Sequence, residues 1–295
     1  MAAPADTPPV LGFIGFGEAA EAFATGFGPI VAGRAAAYDM KLDDPALATQ
    51  PRDRAARAGV ALAPDRGVAL TRAEAVFCLV TADRATAAAE ECAAFLSKDA
   101  FWFDGNSCAP GAKRAAARVI EAAGGRYVDM AIMAPVYPKR HQTPLLIAGP
   151  HAKEAAVILA ALGMKARIVG DQVGDASSIK MLRSVMIKGM EALTAECLLA
   201  ARRAGVEEQV LASLLASNPE IDWPRQAAYH LERMMVHGRR RAAEMREVAT
   251  TLAELGLPNG LAAATAQWQQ QIGDLDLDPG ADDFTVRADA VLTRI

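Results

Sequence analysis

The segment Gly15-Phe16-Gly17-Glu18-Ala19-Ala20 has the form G-x-G-x-x-A and lies between an apolar run, Val10 to Ile14, and an alanine-rich stretch. In that setting the first glycine permits a tight strand-to-helix turn, the second lets backbone approach a pyrophosphate, and Ala20 keeps helix and strand close. The start of the following helix offers unpaired N–H groups to the anion. A plain tight turn is the alternative for the motif alone. A second apolar run ends in Asp39, at the spacing where an acidic residue reaches an adenosine ribose. A carboxylate there accepts hydrogen bonds from ribose hydroxyls and repels a 2′-phosphate, so NAD is the expected cofactor and, with Lys41 two residues on, NADP the alternative. The loop at Val80-Thr81, after a third run, belongs at the same edge of the sheet.

Hydride transfer to or from a carbinol carbon needs a group that moves the hydroxyl proton. Lys180, in Gly174-Asp175-Ala176-Ser177-Ser178-Ile179-Lys180, follows a glycine that leads into a long helical stretch, and Ser184 and Lys188 follow at four-residue steps on the same face. Desolvation and the neighbouring charges of Lys188 and Arg183 would disfavour the charged form of that lysine and bring it into range for proton transfer. A snorkelling surface lysine is the competing reading.

These residues need a scaffold. From Val10 to about Gly170 short apolar runs alternate with helical stretches, the order of a parallel sheet with crossover helices. The strands are predicted at Val10 to Gly15, Ala35 to Asp39, Ala75 to Val80, Ala100 to Phe103, Arg126 to Met130 and Leu145 to Ala148. Helices are predicted at Glu18 to Phe27, Asp53 to Ala58, Ala85 to Phe95 and Ala112 to Ala123. Beyond Gly174 the pattern is helical: Ser177 to Ala204, about 42 Å long, then Val206 to Ala216, Trp223 to Val236, Arg239 to Leu255 and Leu261 to Gln271. The expectation is an α/β Rossmann-type domain over residues 1–170 and an all-α domain over 171–295, joined by the long helix.

Composition narrows the classes. With 52% apolar and 22% charged residues among 295, the chain has ample material for a core and is not disordered. Thirty-one Lys and Arg against 35 Asp and Glu give a net charge of −4, which argues against a nucleic-acid binder. Arg239-Arg240-Arg241 reads as a solvated helix face, and Lys139 and Arg140 as exposed loop charges. No run approaches the roughly 20 apolar residues of a membrane helix. Cys78, Cys92, Cys108 and Cys197 lack C-x-x-C spacing and fit a reducing cytoplasm. His230 and His237 share a helix face without other ligand-type residues at metal spacing, so no metal is expected.

The G-x-G-x-x-A turn, the segment Asp104-Gly105-Asn106-Ser107-Cys108-Ala109-Pro110 and the Gly174 to Lys180 segment, in that order, resemble the signatures of the β-hydroxyacid dehydrogenase and 6-phosphogluconate dehydrogenase superfamily. Thr194-Ala195-Glu196 resembles the continuation of its interdomain helix. Trp223-Pro224, Arg233 to His237, Glu244 to Glu247 and Gly256-Leu257-Pro258 resemble the C-terminal domain of unassigned function in phosphogluconate-dehydrogenase-like NAD-binding proteins. The resemblance spans nearly the whole chain. It implies an NAD(P)-dependent dehydrogenase of a hydroxyacid or related alcohol, with Lys180 as general acid/base, Asn106 and Ser107 where the family binds cofactor and substrate hydroxyls, and a homodimer; Ser107 and Ser184 are expected to orient the substrate oxygen. The chain departs from the family at Ser184, where Asn is usual, and at Ala243-Glu244-Met245, where a Lys-Asp-Leu triplet is common. It departs again at Met133 to His141, where a Gly-Gly loop is usual and where Pro135 and Pro138 remove backbone donors. An imine reductase on the same scaffold and a non-catalytic dinucleotide sensor are the rival readings.

Overall fold

The computed structural model describes residues 8–295. Contacts divide the chain into two compact units, the first ending at Lys180 and the second beginning at Met181.

In the first unit β1 (Leu11–Ile14) leads into α1 (Glu18–Phe27), followed by β2 (Ala35–Tyr38), α2 (Thr49–Ala58), β3 (Ala61–Leu62), α3 (Arg66–Leu70), β4 (Ala75–Cys78) and α4 (Ala85–Cys92). Then come β5 (Phe101–Asp104), α5 (Pro110–Ala122), β6 (Arg126–Ile132), β7 (Leu145–Ala148), α6 (Ala152–Ala161) and β8 (Ala166–Gly170). One sheet results, ordered β3-β2-β1-β4-β5-β6-β7-β8. The order reverses between β1 and β4, so the carboxyl ends of those strands form the crevice in which such sheets bind ligands. Fully buried Phe13, Phe23, Phe27, Phe77 and Phe103 fill one face. Phe77 stacks on Phe13 with ring centroids 5.6 Å apart and on Phe103 at 5.1 Å. At about 2 kcal/mol or more per buried ring, this cluster holds α1, and the glycine turn ahead of it, against the sheet.

In this unit three expectations need correction. The sheet is not wholly parallel: β7 runs antiparallel to β6, with Ile132 opposite Leu145. The segment between them contains only a single 3-10 turn, Arg140–Gln142, so it returns as a hairpin where a parallel partner would need a crossover helix. Strands β3 and β8 and helices α3 and α6 were not legible, since β3 has two residues and β8 is an edge strand without buried alternation. The helix predicted over Ala85 to Phe95 ends at Cys92 and tightens into a 3-10 turn, Ala93–Phe95.

Helix α7 (Asp175–Arg203) starts in the first unit and continues into the second. It is followed by α8 (Glu207–Ser217), α9 (Trp223–Glu254), α10 (Gly260–Asp274) and α11 (Phe284–Leu292). The two helices predicted between Trp223 and Leu255 are the single 32-residue α9, and α11 is additional. Gly238 does not break α9. A Cβ there would stand 2.8 Å from Gly273 Cα and 2.9 Å from Gly273 N, so the two glycines let α9 and α10 meet backbone to backbone. Gly238→Ala should therefore destabilise the protein by about 1–3 kcal/mol through overpacking, although alanine is the better helix former. Urea denaturation of the variant measures this, and an unchanged or raised midpoint would contradict the steric account.

Candidate active site

At the carboxyl end of β1, Gly15 has φ +81°, and a Cβ on it would collide with Leu79 O at 2.6 Å and Val80 Cγ1 at 2.8 Å. Only glycine fits between the ends of β1 and β4. Gly17 differs: a Cβ there would meet only Arg54 Nη1, at 4.0 Å. No packing demands the second glycine, which caps α1 without a side-chain hydrogen bond, so the space beside it is open to an anion at the helix N-terminus. Phe16 turns its ring into the core against Phe13, and its N–H donates to Asp39 Oδ2 at 2.8 Å. Asp39 Oδ1 accepts from Lys41 N at 2.9 Å, while Lys41 Nζ donates to Gln50 Oε1. The carboxylate is thus held at the motif, and further lone pairs remain for ribose hydroxyls. Ala20 is fully buried, Ala19 is half-buried, and Glu18 and Thr81 are exposed.

The rows of the sheet bring a second set together. Cys78 and Asp104, the last residues of β4 and β5, lie in one row with Asp129, in the middle of β6. Two adjacent carboxylates in register repel each other. Lys113, from α5, is fully buried above them: Nζ donates to Asp104 O at 2.6 Å and Asp104 Oδ1 at 2.9 Å and stands 3.6 Å from Asp129 Oδ1. Burial alone would lower the lysine pKa, but Asp104 and Asp129 outweigh it and hold the ammonium above its ordinary range. Tyr127 Oη donates to Asp104 Oδ2 at 2.6 Å, and burial together with Asp104 pushes its phenol well up. Asp129 Oδ2 accepts from Gly174 N, Ser177 N and Ser177 Oγ at 3.0–3.1 Å. The start of α7, and with it half-buried Lys180, is fastened to the sheet by that single carboxylate.

Beyond β5, Asn106 Nδ2 donates to Asp104 Oδ1 at 2.7 Å and approaches Cys78 Sγ at 3.4 Å, but Asn106 Oδ1 is buried without a partner. An unpaired buried acceptor is costly and fits a donor from a bound molecule. Ser107 follows, half-buried. The Met133 to His141 segment is anchored rather than loose: Val136 joins the core, and His141 packs edge-on against Phe27 with centroids 5.7 Å apart. Tyr137, Lys139 and Arg140 are exposed.

In the second unit Ser184 Oγ accepts from Lys188 Nζ at 3.1 Å, and Lys188 pairs with Glu244 Oε2 of α9 at 2.9 Å. Lys188 is thus tied to both Ser184 and Glu244. One turn on, Glu191 accepts from both ends of the Arg241 guanidinium and from Gln269 Nε2. Thr194 Oγ1 meets His230 Nδ1 at 3.0 Å. Among the described residues no group of three His, Cys, Asp or Glu side chains could hold a metal ion, and no helix is long and apolar enough to cross a membrane.

Residues 201–272 match the model of a domain of unknown function, DUF1932. A conserved hypothetical protein from Sinorhizobium meliloti is 39% identical, with 98% of each chain covered and a TM-score of 0.77. A conserved protein of unknown function, MTH1747, described as structurally similar to 3-hydroxyacid dehydrogenases, is 32% identical over 90% of this chain and 96% of its own, with a TM-score of 0.67. A Mycobacterium tuberculosis 3-hydroxyisobutyrate dehydrogenase with L-serine is similar in fold, with a TM-score of 0.70, 15% identity, and 98% and 100% coverage. The chain belongs to the β-hydroxyacid dehydrogenase and 6-phosphogluconate dehydrogenase-like superfamily, in the branch that carries this C-terminal domain.

Sequence reasoning missed Lys113, Tyr127 and Asp129. A signal existed: Lys113 falls on the buried stripe of α5 with Pro110, Ala116, Ala117 and Ile120, and a lysine on an apolar stripe needs a buried acid. Lys113→Met leaves Asp104 and Asp129 facing each other uncompensated and should cost about 3–5 kcal/mol, read as a lowered urea midpoint. The companion Lys113→Met/Asp104→Asn variant should recover part of that loss.

Proposed function

We propose that this chain is an NAD(P)-dependent oxidoreductase that interconverts a hydroxyl and a carbonyl on a small hydroxyacid or related alcohol. The observation that carries the reading is the glycine turn at the reversal of strand order, where Gly15 is required by packing and Gly17 leaves an open cradle at the start of α1. Residues Gly15 to Ala20, Asp39, Val80, Thr81 and Asn106 would hold the dinucleotide, with the unpaired Asn106 Oδ1 as an acceptor. When bound, the nicotinamide supplies a hydride acceptor or donor. Asp39 favours NAD over NADP, because a carboxylate fixed at that site repels a 2′-phosphate.

Lys180 is the general acid/base, taking the substrate hydroxyl proton in oxidation and returning it in reduction. Asp129 sets the direction of the helix turn that carries it. Ser107 and Ser184 hold the substrate oxygen. Ser184 Oγ accepts from Lys188 Nζ, which fixes the hydroxyl on that face of the helix. Free thiols at Cys78, Cys92, Cys108 and Cys197 accord with a cytoplasmic setting. The chain works as a homodimer: Ile179, Leu182, Met186, Met190 and Leu193 form an exposed apolar stripe along α7, at the spacing of one helix face.

NADH formation across a panel of hydroxyacids and alcohols tests the chemistry. Lys180→Ala should lower kcat by about two to four orders of magnitude while NAD affinity is retained. Tight NAD binding without turnover on any alcohol, or an undiminished rate in the variant, would overturn the assignment. Sedimentation tests the assembly: the wild type should be dimeric and Met186→Asp/Leu193→Asp monomeric, and a monomeric wild type refutes that part.

A further inference from the structure

On α9, Arg233, His237 and Arg240 succeed one another at four- and three-residue steps, which places them within about 60° on one face and along about 10.5 Å of axis. Their surroundings are unbalanced. Arg241 is committed to Glu191, and Lys188 to Glu244. Arg240 reaches Glu244 only at 3.8 Å, through the oxygen that Lys188 leaves. Arg233 has a side chain only 15% exposed and makes no hydrogen bond among the described residues; Glu232 Oε2, its neighbour in sequence, stands at 4.0 Å. An arginine whose side chain is largely covered while its fork of donors is unspent is prepared for a planar or tetrahedral oxyanion. His237, between the two arginines, likewise has no hydrogen-bond partner within the described chain.

We propose that Arg233, His237 and Arg240 form an anion-binding site on the helical unit, which takes the carboxylate or phosphoryl group of a small molecule. The excess of positive charge is felt by the imidazole. Burial, and then Arg233, Arg240 and Arg241, lower the His237 pKa to about 4 against the opposing pull of Glu244, so the ring is neutral at pH 7 and donates a single N–H. A bound anion reverses that field and favours the imidazolium, so anion binding and protonation of His237 reinforce each other. The site does not depend on hydride transfer and is tested without cofactor.

The test uses the full chain labelled for imidazole NMR, with the His237 resonances assigned through His237→Gln. Inorganic phosphate and propionate are each titrated against sodium chloride of equal ionic strength. The His237 pKa should rise by about one unit or more with saturation, and not with chloride; a response to phosphate alone identifies a phosphoryl ligand, and an equal response to propionate a carboxylate. Arg233→Gln/Arg240→Gln should abolish the saturable shift while raising the anion-free pKa. Calorimetric titration with phosphate at pH 6.5 gives a second readout should the protein fail at acid pH. A shift no larger than that with chloride, together with no saturable heat, overturns the site.

Discussion

Asp104, the last residue of β5, lies in direct register with Asp129, midway along the neighbouring parallel strand β6, and Lys113 lies buried across both. Each carboxylate would be expensive to bury alone, and two side by side more so. The lysine removes that conflict while the carboxylates spend their other oxygens on structure. Asp104 gathers Tyr127 and Asn106, and Asp129 fastens Gly174 and Ser177. The loop after β5, through Asn106, and the start of α7, through Gly174 and Ser177, are therefore held by the same ion cluster.

The helical unit shows the same preference for polar registration. Along α7, Lys188, Glu191 and Thr194 meet Glu244, Arg241 and His230 on α9. An apolar seam would be at least as stable. Three polar pairs restrict how the two helices can slide past each other more than an apolar seam would. At the crossing of α9 and α10, two glycines replace side-chain packing with backbone contact.

The departures from the superfamily's usual pattern have local physical consequences. Serine in place of asparagine at Ser184 is coupled to a lysine one turn on, whose ammonium donates to it. The two prolines in the Met133 to His141 segment accompany an anchored course, with Val136 in the core and His141 against Phe27. Glu244, where a triplet led by lysine is common in relatives, is a partner of Lys188.

Periodicity and punctuation in the chain determined much by themselves. The glycine turn, Asp39 at the end of β2, six of the strands and the long helix at Lys180 were legible because each rests on local spacing. The span of α1 was read as it stands, Glu18 to Phe27. Tertiary structure decided the rest. Gly238 reads as a break until α10 is seen to press on it, and the antiparallel course of β7 depends on what the intervening segment leaves out. The pairing of Lys113 with Asp104 and Asp129 joins residues from three elements, and the weak pairing of Arg233, with only Glu232 at 4.0 Å among the described residues, emerges only from the folded chain. Local sequence sets backbone preference and face, whereas the compensation of buried charge and the closest approaches are sums over distant segments, which no spacing rule contains.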